Sequence, residues 1–344
     1  MKKSLIALAV LAASGAAMAQ SSVSLFGIID AGVGYVDNAT AANGNKYGVG
    51  TSGNQTSRIG FRGTEDLGGG LKAGFWLEGE VFADGGNPDG LNFKRRSTVG
   101  LEGNFGEVRL GRDLTTGYSK TSSYDLFSQT GIGQFSAWRN WGGVVATGDE
   151  NGIRSNNMIS YFTPNFGGVK AAVSYGFDEQ ATGKAGRYIG GNVSYDNGPL
   201  SVAVSYDRLD FVGGDRDAAT LGASYNFGVA KLNGIVQQQK YSANAGGEAK
   251  FNNYMLGVSA PVGGAGEVKL QYARYDQKTF NGNADQLSLG YVHNLSKRTA
   301  VYGTVAYLKN KDGSALGLQS KGINTVAAAN QKQTGVQVGI RHSF

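Results

Sequence analysis

The sequence predicts an all-β protein: a transmembrane antiparallel β-barrel of about sixteen strands, with a long third loop folded into its interior. Three observations predict it. Apolar and polar residues alternate with a period of two in segment after segment, the signature of strands with two different faces. Short Gly/Asn-rich turns alternate with longer polar stretches. The 344 residues include 56 Gly, 17 Tyr and 16 Phe but only 4 Pro and no Cys. That composition suits strands joined by tight turns and flanked by aromatic belts.

The chain opens with MKKSLIALAVLAASGAAMA. Lys2 and Lys3 precede an apolar run, Leu5 to Ala13, and Ala17-Met18-Ala19 has the small-x-small form of a cleavage site. Residues 1–19 are therefore expected to be a secretory signal peptide, leaving 20–344 as one barrel domain. The apolar run is too short for a membrane helix, which takes about 20 apolar residues. With no Cys there is no disulfide framework, no thiolate nucleophile and no Cys-based metal site.

The strands follow from alternation. Leu200, Val202, Val204 and Tyr206 share one face, as do Val169, Ala171, Val173, Tyr175 and Phe177. Val268, Leu270 and Tyr272 repeat the pattern, and so do Leu287, Leu289 and Tyr291. In the last strand Val336, Val338, Ile340, His342 and Phe344 alternate with Gln337, Gly339, Arg341 and Ser343. The second face is Ser, Gln, Asn, Gly, Lys and Arg throughout. A polar interior with an apolar, lipid-facing exterior gives that pattern. A one-sided soluble sheet would also give it, but the chain offers no helices to cover the apolar face.

Seven tight turns are expected, at 67–70, 104–106, 165–168, 196–199, 226–228, 261–264 and 294–297. Eight longer stretches separate them, near 37–55, 83–92, 113–156, 178–186, 208–217, 239–251, 276–284 and 309–333. Together these connect sixteen strands, enough to enclose an aqueous channel. Tyr35, Tyr175, Phe177, Tyr195, Tyr206, Tyr225, Phe227 and Phe344 sit near strand ends, where interfacial girdles belong.

The stretch 113–156 is much the longest and carries Phe127, Phe135, Trp138 and Trp141. Tucking it inside the barrel would shelter these rings and narrow the channel; an exposed or subunit-contacting loop is the alternative. Parity in the flanking strands then places the charges. With Ile59 and Phe61 facing lipid, Arg58 and Arg62 face inward. By the same count Lys72, Arg96, Arg109 and Arg154 face inward and form a basic stripe lining the constriction. An outward charge at mid-depth would cost about 2–4 kcal/mol. Asp113 and Asp125 are the loop acids expected to face the stripe, while Glu78, Glu80 and Glu102 point inward and moderate it. Cationic rings favour anions in a pore, so a weak anion preference is expected. Solvated lumen charges without a selective role are the plainer alternative.

Several segments resemble the general porins of Gram-negative outer membranes, of the neisserial and beta-proteobacterial type. They are Ser57 to Ala73 (SRIGFRGTEDLGGGLKA), Ser97 to Leu101, Phe105 to Arg112, Thr163 to Gly168, Asn294 to Thr299 and the ending Gly339 to Phe344. They are spread from the first quarter of the chain to its end. The resemblance implies a sixteen-stranded homotrimer whose third loop enters the pore. It implies a setting of lipid bilayer and lipopolysaccharide, insertion by the outer-membrane assembly machinery, and passage of small ions and solutes. It implies no cofactor. Phe344 is similar to the terminal assembly signal of such proteins. One departure is Asn165, where an acidic residue is common in the family.

Other function classes fare worse. A hydrolase needs a histidine base, and the chain has only 2 His. Both His293 and His342 share parity with lipid-facing neighbours. No clustered ligands suggest a metal. The net charge of +6 admits nucleic-acid binding, but the basic residues alternate into a strand interior and form no exposed groove. A substrate-specific channel and an adhesin or receptor barrel remain open beside the diffusion pore.

Overall fold

The computed structural model describes residues 22–38, 44–87, 90–138, 151–279, 281–323 and 327–344. The expected cleavage site and Trp141 lie outside these residues. Seventeen strand segments form one antiparallel sheet closed on itself. In chain order they are β1 (Ser22–Asn38), β2a (Lys46–Thr51), β2b (Arg58–Gly68), β3 (Leu71–Glu80), β4 (Arg96–Gly103) and β5 (Gly106–Leu114). Next come β6 (Arg154–Phe162), β7 (Val169–Gly176), β8 (Tyr188–Asn197), β9 (Leu200–Phe211) and β10 (Gly214–Asn226). The remainder are β11 (Lys231–Ala243), β12 (Glu248–Val262), β13 (Gly266–Gln277), β14 (Gly282–Asn294), β15 (Thr299–Lys311) and β16 (Lys332–Ser343). Segments β2a and β2b both pair with β1, end to end, so the barrel has sixteen staves. Closure pairs β1 with β16, from Ile28–Ser343 to Asn38–Gln333. Among the described residues no helix is long and apolar enough to cross a membrane; the strands cross instead.

The alternating apolar residues point outward. Phe61, Phe75, Val99, Leu101, Val173, Val204, Leu256, Leu289 and Val338 are all exposed on the barrel surface. An apolar exterior this extensive is stable only against lipid. All seven tight turns join consecutive strands as expected. In the first, Gly68, Gly69 and Gly70 all hold positive φ (83°, 60° and 82°), which other residues adopt only with strain.

Three of the expected long stretches are mostly strand. Between β9 and β10 only residues 212–213 leave the ladder, between β11 and β12 only 244–247, and between β13 and β14 only 278–281. Toward the loop end the alternation continues with its sign reversed. Leu209, Tyr241, Phe251 and Tyr275 point inward and are buried, while Arg208, Lys240, Lys250 and Arg274 point outward. Polar outward residues at the ends of long strands read as loops in sequence. They are the part of the wall that stands above the hydrocarbon.

The core lies inside the barrel. Tyr118, Tyr124, Ile132, Phe135 and Trp138 of the third loop pack with Ile235, Met255 and Tyr275 of the wall, and with Leu316, Leu318 and Ile323 of the last loop.

Candidate functional site

The third connection, in its described residues 115–138 and 151–153, enters the lumen through one helical turn (Thr116–Ser119) and one 3-10 turn (Thr121–Tyr124). Phe135 stacks on Tyr275 with ring centroids 5.7 Å apart, and Trp138 meets both Phe135 and Tyr118 edge-on. The loop is stapled to the far wall mainly by neutral amides and hydroxyls. Asn233 donates to the Tyr124 carbonyl (2.8 Å), Gln286 to the Ile132 carbonyl (3.1 Å), and the Ser136 N–H to the Tyr275 hydroxyl (2.9 Å). Gln271 accepts from the Leu126 N–H at 3.1 Å. Nearer the loop's start, Thr116 donates to the Gly190 carbonyl and the Gly117 N–H to the Tyr188 hydroxyl.

The break in the second stave faces the loop's tip. Asp30 on β1 is fully buried. Its carboxylate accepts N–H bonds from Gly53 (3.2 Å), Asn54 (2.8 Å) and Gln55 (2.6 Å), and an O–H bond from Tyr302 (2.7 Å). Three consecutive amides wrapped on one carboxylate turn residues 52–57 out of the ladder and into the lumen. Thr130 of the third loop donates to the Ser52 carbonyl, so the loop tip rests on this inturned segment.

The opposite wall, β2b to β6, carries the charges. Glu78 pairs with Arg95 at 2.6 Å and approaches Arg58 at 4.0 Å. Asp113 pairs with Arg109 at 2.6 Å and with Arg96 at 3.4 Å; Arg109 also pairs with Glu107 at 2.8 Å. Glu80 pairs with Lys94 at 3.7 Å and with Lys321 of the last loop.

Three cavities succeed one another along this wall. One of about 340 Å³ is bounded by Gln55, Thr56, Arg58, Arg95, Arg154 and, across it, third-loop residues including Tyr118, Ser122, Asp125 and Gln129. A second, of about 280 Å³, is lined by Thr56, Glu80, Lys94, Arg95, Arg112, Arg154 and Lys321 among others. Thr56, Arg95 and Arg154 line both, so the two cavities adjoin at these three residues. The third, of about 340 Å³, contains Arg62, Lys72, Trp76, Arg96 and Arg109. There Arg62 and Arg96 lie over the Trp76 ring, at 5.2 and 4.5 Å from its centre.

The stripe residues thus divide. Arg58 lines the first cavity and Arg154 the first and second, while Arg62, Lys72, Arg96 and Arg109 line the third. An extra residue between Ser155 and Met158 of β6, opposite Gly111 to Asp113 of β5, shifts the pairing, so the strand count does not run through to Arg154. The side chain still reaches the lumen, and its Nε donates to the Arg95 carbonyl at 2.9 Å. Asp125 lies across from Arg58, Arg95 and Arg154. It borders the first cavity, but its carboxylate accepts the N–H groups of Phe127, Gln129 and Phe135 and closes the loop on itself. Burial pushes its carboxyl above the ordinary range, and these bonds pull it back only in part.

Alternation did not disclose Lys94, Arg95, Arg112 or Lys321. Lys94, Arg95 and Arg96 are consecutive, and three adjacent cations cannot all obey a period of two; that run was the available signal. Lys321 sits on a loop that folds inward on Leu316, Leu318 and Ile323, the same logic that drew the third loop inside. Burial pushes its ammonium down to about 8.

His293 bonds the Tyr291 hydroxyl and His342 bonds Thr299, both at the turn end of the barrel. Among the described residues no group of three His, Cys, Asp or Glu is placed to hold a metal.

Comparison with known proteins gives one answer. The family model for Gram-negative porins matches residues 5–313. Outer membrane porin protein 32 of Delftia acidovorans is 65% identical over the whole of both chains. An outer membrane porin of Bordetella pertussis is 34% identical and the major outer membrane protein P.IB of Neisseria meningitidis serogroup B is 28% identical, each over full length. The solved structure of an anion-selective porin from Comamonas acidovorans superposes with TM-score 0.90 at 62% identity, covering 94% of this chain and 100% of that one. A trimer form of OmpT from Vibrio cholerae shares the fold, with TM-score 0.70 at 13% identity.

Proposed function

The chain belongs to the Gram-negative porin family, and we propose that its water-filled channel favours anions, selected where the first two cavities adjoin at Thr56, Arg95 and Arg154. The protein is an outer-membrane porin through which ions and small hydrophilic solutes diffuse. The observation that carries the anion preference is the clustering around these two joined cavities of Arg58, Arg95, Arg154, Lys94, Arg112 and Lys321 against Glu78, Glu80 and the self-bonded Asp125. Cations held by a low-dielectric wall raise the local anion concentration. The relative from Comamonas acidovorans, described as anion-selective, supports the same reading.

Arg62, Lys72, Arg96 and Arg109 extend the basic wall beyond that junction, with Asp113 holding two of them in place. The working form is proposed to be a homotrimer in the bilayer. Residues 1–19 are proposed to be removed on export, and Phe344 to be read by the assembly machinery.

The test is the reversal potential across a planar bilayer under a KCl gradient at low ionic strength. Wild type is expected to show chloride preference. The Arg95→Gln, Arg154→Gln variant is expected to lose most of it while still conducting. An unchanged potential in the folded double variant would place selection elsewhere.

A further inference from the structure

We propose that a cavity at the loop ends of β6, β7 and β9 is a binding site for a zwitterion with an apolar body, namely a free amino acid with an apolar side chain. The site goes beyond the channel's charge preference. It rests on the porin reading only for its place beside the channel mouth.

The cavity holds about 460 Å³, more than any of the three along the basic wall and within the range of small-molecule sites. Its walls come from three strand ends: 154–157 where β6 begins, 177–180 where the chain leaves β7, and 209–212 where β9 closes. Backbone bonds tie these walls together. The Phe177 N–H donates to the Asn157 carbonyl at 3.1 Å, the Gly186 N–H to the Asp210 carbonyl at 2.8 Å, and the Asp210 N–H to the Arg187 carbonyl at 2.9 Å. Leu209, buried with Met158 and Tyr188, forms the floor. Two lining residues other than glycine, Asn157 and Glu179, hold positive φ, at 53° and 51°. That region is costly for a Glu, and such strain collects at ligand sites.

The charges are of both signs. Arg154 also lines the first two lumen cavities, so it meets this one from the channel side. Asp210 is already matched, by Arg187 at 2.7 Å and Arg208 at 3.4 Å. Asp178 and Glu179 pair with no cation among the described residues. An ammonium group would answer these two carboxylates and a carboxylate would answer Arg154, both through charge-assisted hydrogen bonds. Arg154 opposes a lone cation, and Asp178 with Glu179 opposes a lone anion, so a ligand carrying both charges is selected. The lining also includes Phe177 and Val212, both exposed, and an apolar side chain would take this surface out of water.

The test titrates full-length protein in detergent with L-phenylalanine, followed by calorimetry. Wild type is expected to bind it. The Asp178→Asn, Glu179→Gln variant is expected to bind about tenfold more weakly, the effect of losing one hydrogen bond to a charged group. N-acetyl-L-phenylalanine lacks the ammonium group and is expected to bind both proteins alike. Asp178→Glu with Glu179→Asp keeps both charges and is expected to retain wild-type binding. Arg154→Gln is expected to weaken L-phenylalanine and to leave L-phenylalanine amide, which lacks the carboxylate, unchanged. No binding by wild type, equal binding of L-phenylalanine by wild type and the Asn/Gln variant, or a parallel loss of the acetylated form in that variant overturns the proposal. A wild type that bound the amino acid but did not conduct in planar bilayers would overturn the porin reading and leave the site intact.

Discussion

The two halves of the barrel wall place their charges on opposite faces. From β2b to β6 the ionic residues line the lumen and the exterior is apolar. From β9 to β16 the lumen face is largely Gln, Asn, Ser and Ala, broken by the buried Asp207–Arg216 pair, Lys269 and Arg341, and most of the other ionic residues stand outside, above the tyrosines. The difference shows that period-two alternation fixes which residues share a face, but not what that face meets. The first half borders water inside and lipid outside. The second half borders a packed loop inside and headgroups outside. On the proposed reading, the basic wall sets which ions pass. The amide wall sets where the third loop lies, and through it the width.

That division can be broken. Arg58→Glu with Arg96→Glu changes the basic wall by four units of charge and is expected to abolish or reverse the anion preference, read as reversal potential in a KCl gradient. Gln271→Ala with Gln286→Ala removes staples on the opposite wall. It is expected to leave selectivity within about twofold while raising conductance and open-channel noise. Equal shifts in selectivity from the two pairs would refute the division.

Next in size is Asp30→Ala, at the seam where the halves meet. It leaves three buried or part-buried amides and the Tyr302 hydroxyl without their acceptor, a loss of roughly 3 kcal/mol. The barrel is expected to open at lower temperature in detergent, with noisier channels because the segment beneath the loop tip is loosened. Tyr302→Phe should show the same noise with a smaller thermal shift. Quiet channels in both would mean that Asp30 does not position the loop.

Deleting Phe344 sharpens the contrast from the closing edge. Its N–H and C=O bond Gly27 at 3.0 and 3.1 Å, and its ring covers the space where a Gly27 side chain would stand. The amount inserted in cells is expected to fall severalfold, with normal conductance from the molecules that do assemble. Undiminished outer-membrane levels would count against a role in assembly.

The smallest expected effect is that of pH. Lys321 has its folded value lowered to about 8, so its charge is present below that pH and lost above it. Anion preference is expected to decline modestly between pH 7 and 9, and Lys321→Met to flatten that slope. A wild-type preference that is constant over this range would remove Lys321 from the selective set.

Much of this was legible in the sequence. Phe61, Val99 and Val338 announced their lipid face by alternation, and Phe135 and Trp138 announced an interior loop by being too apolar for a tip. Arg62, Lys72 and Arg109 followed by parity. What escaped was what breaks a period. The inturn at 52–57 depends on Asp30, distant in sequence, and Lys46–Thr51 looked like loop. Arg95 precedes its strand and has no parity to read. Tyr241 and Phe251 point inward where the rule set by lipid would have sent them out, because the solvent outside changes along the strand.

The neutral staples of the third loop carry a consequence for brackish or dilute surroundings. Salt shortens the reach of the arginines, to about 8 Å at 0.15 M, but does little to an amide bonded to a carbonyl. Ionic strength should therefore retune which solutes are preferred by charge while the cut-off by size stays where it was. A cell moving between dilute and salty water would keep the same mesh and lose only its electrical bias.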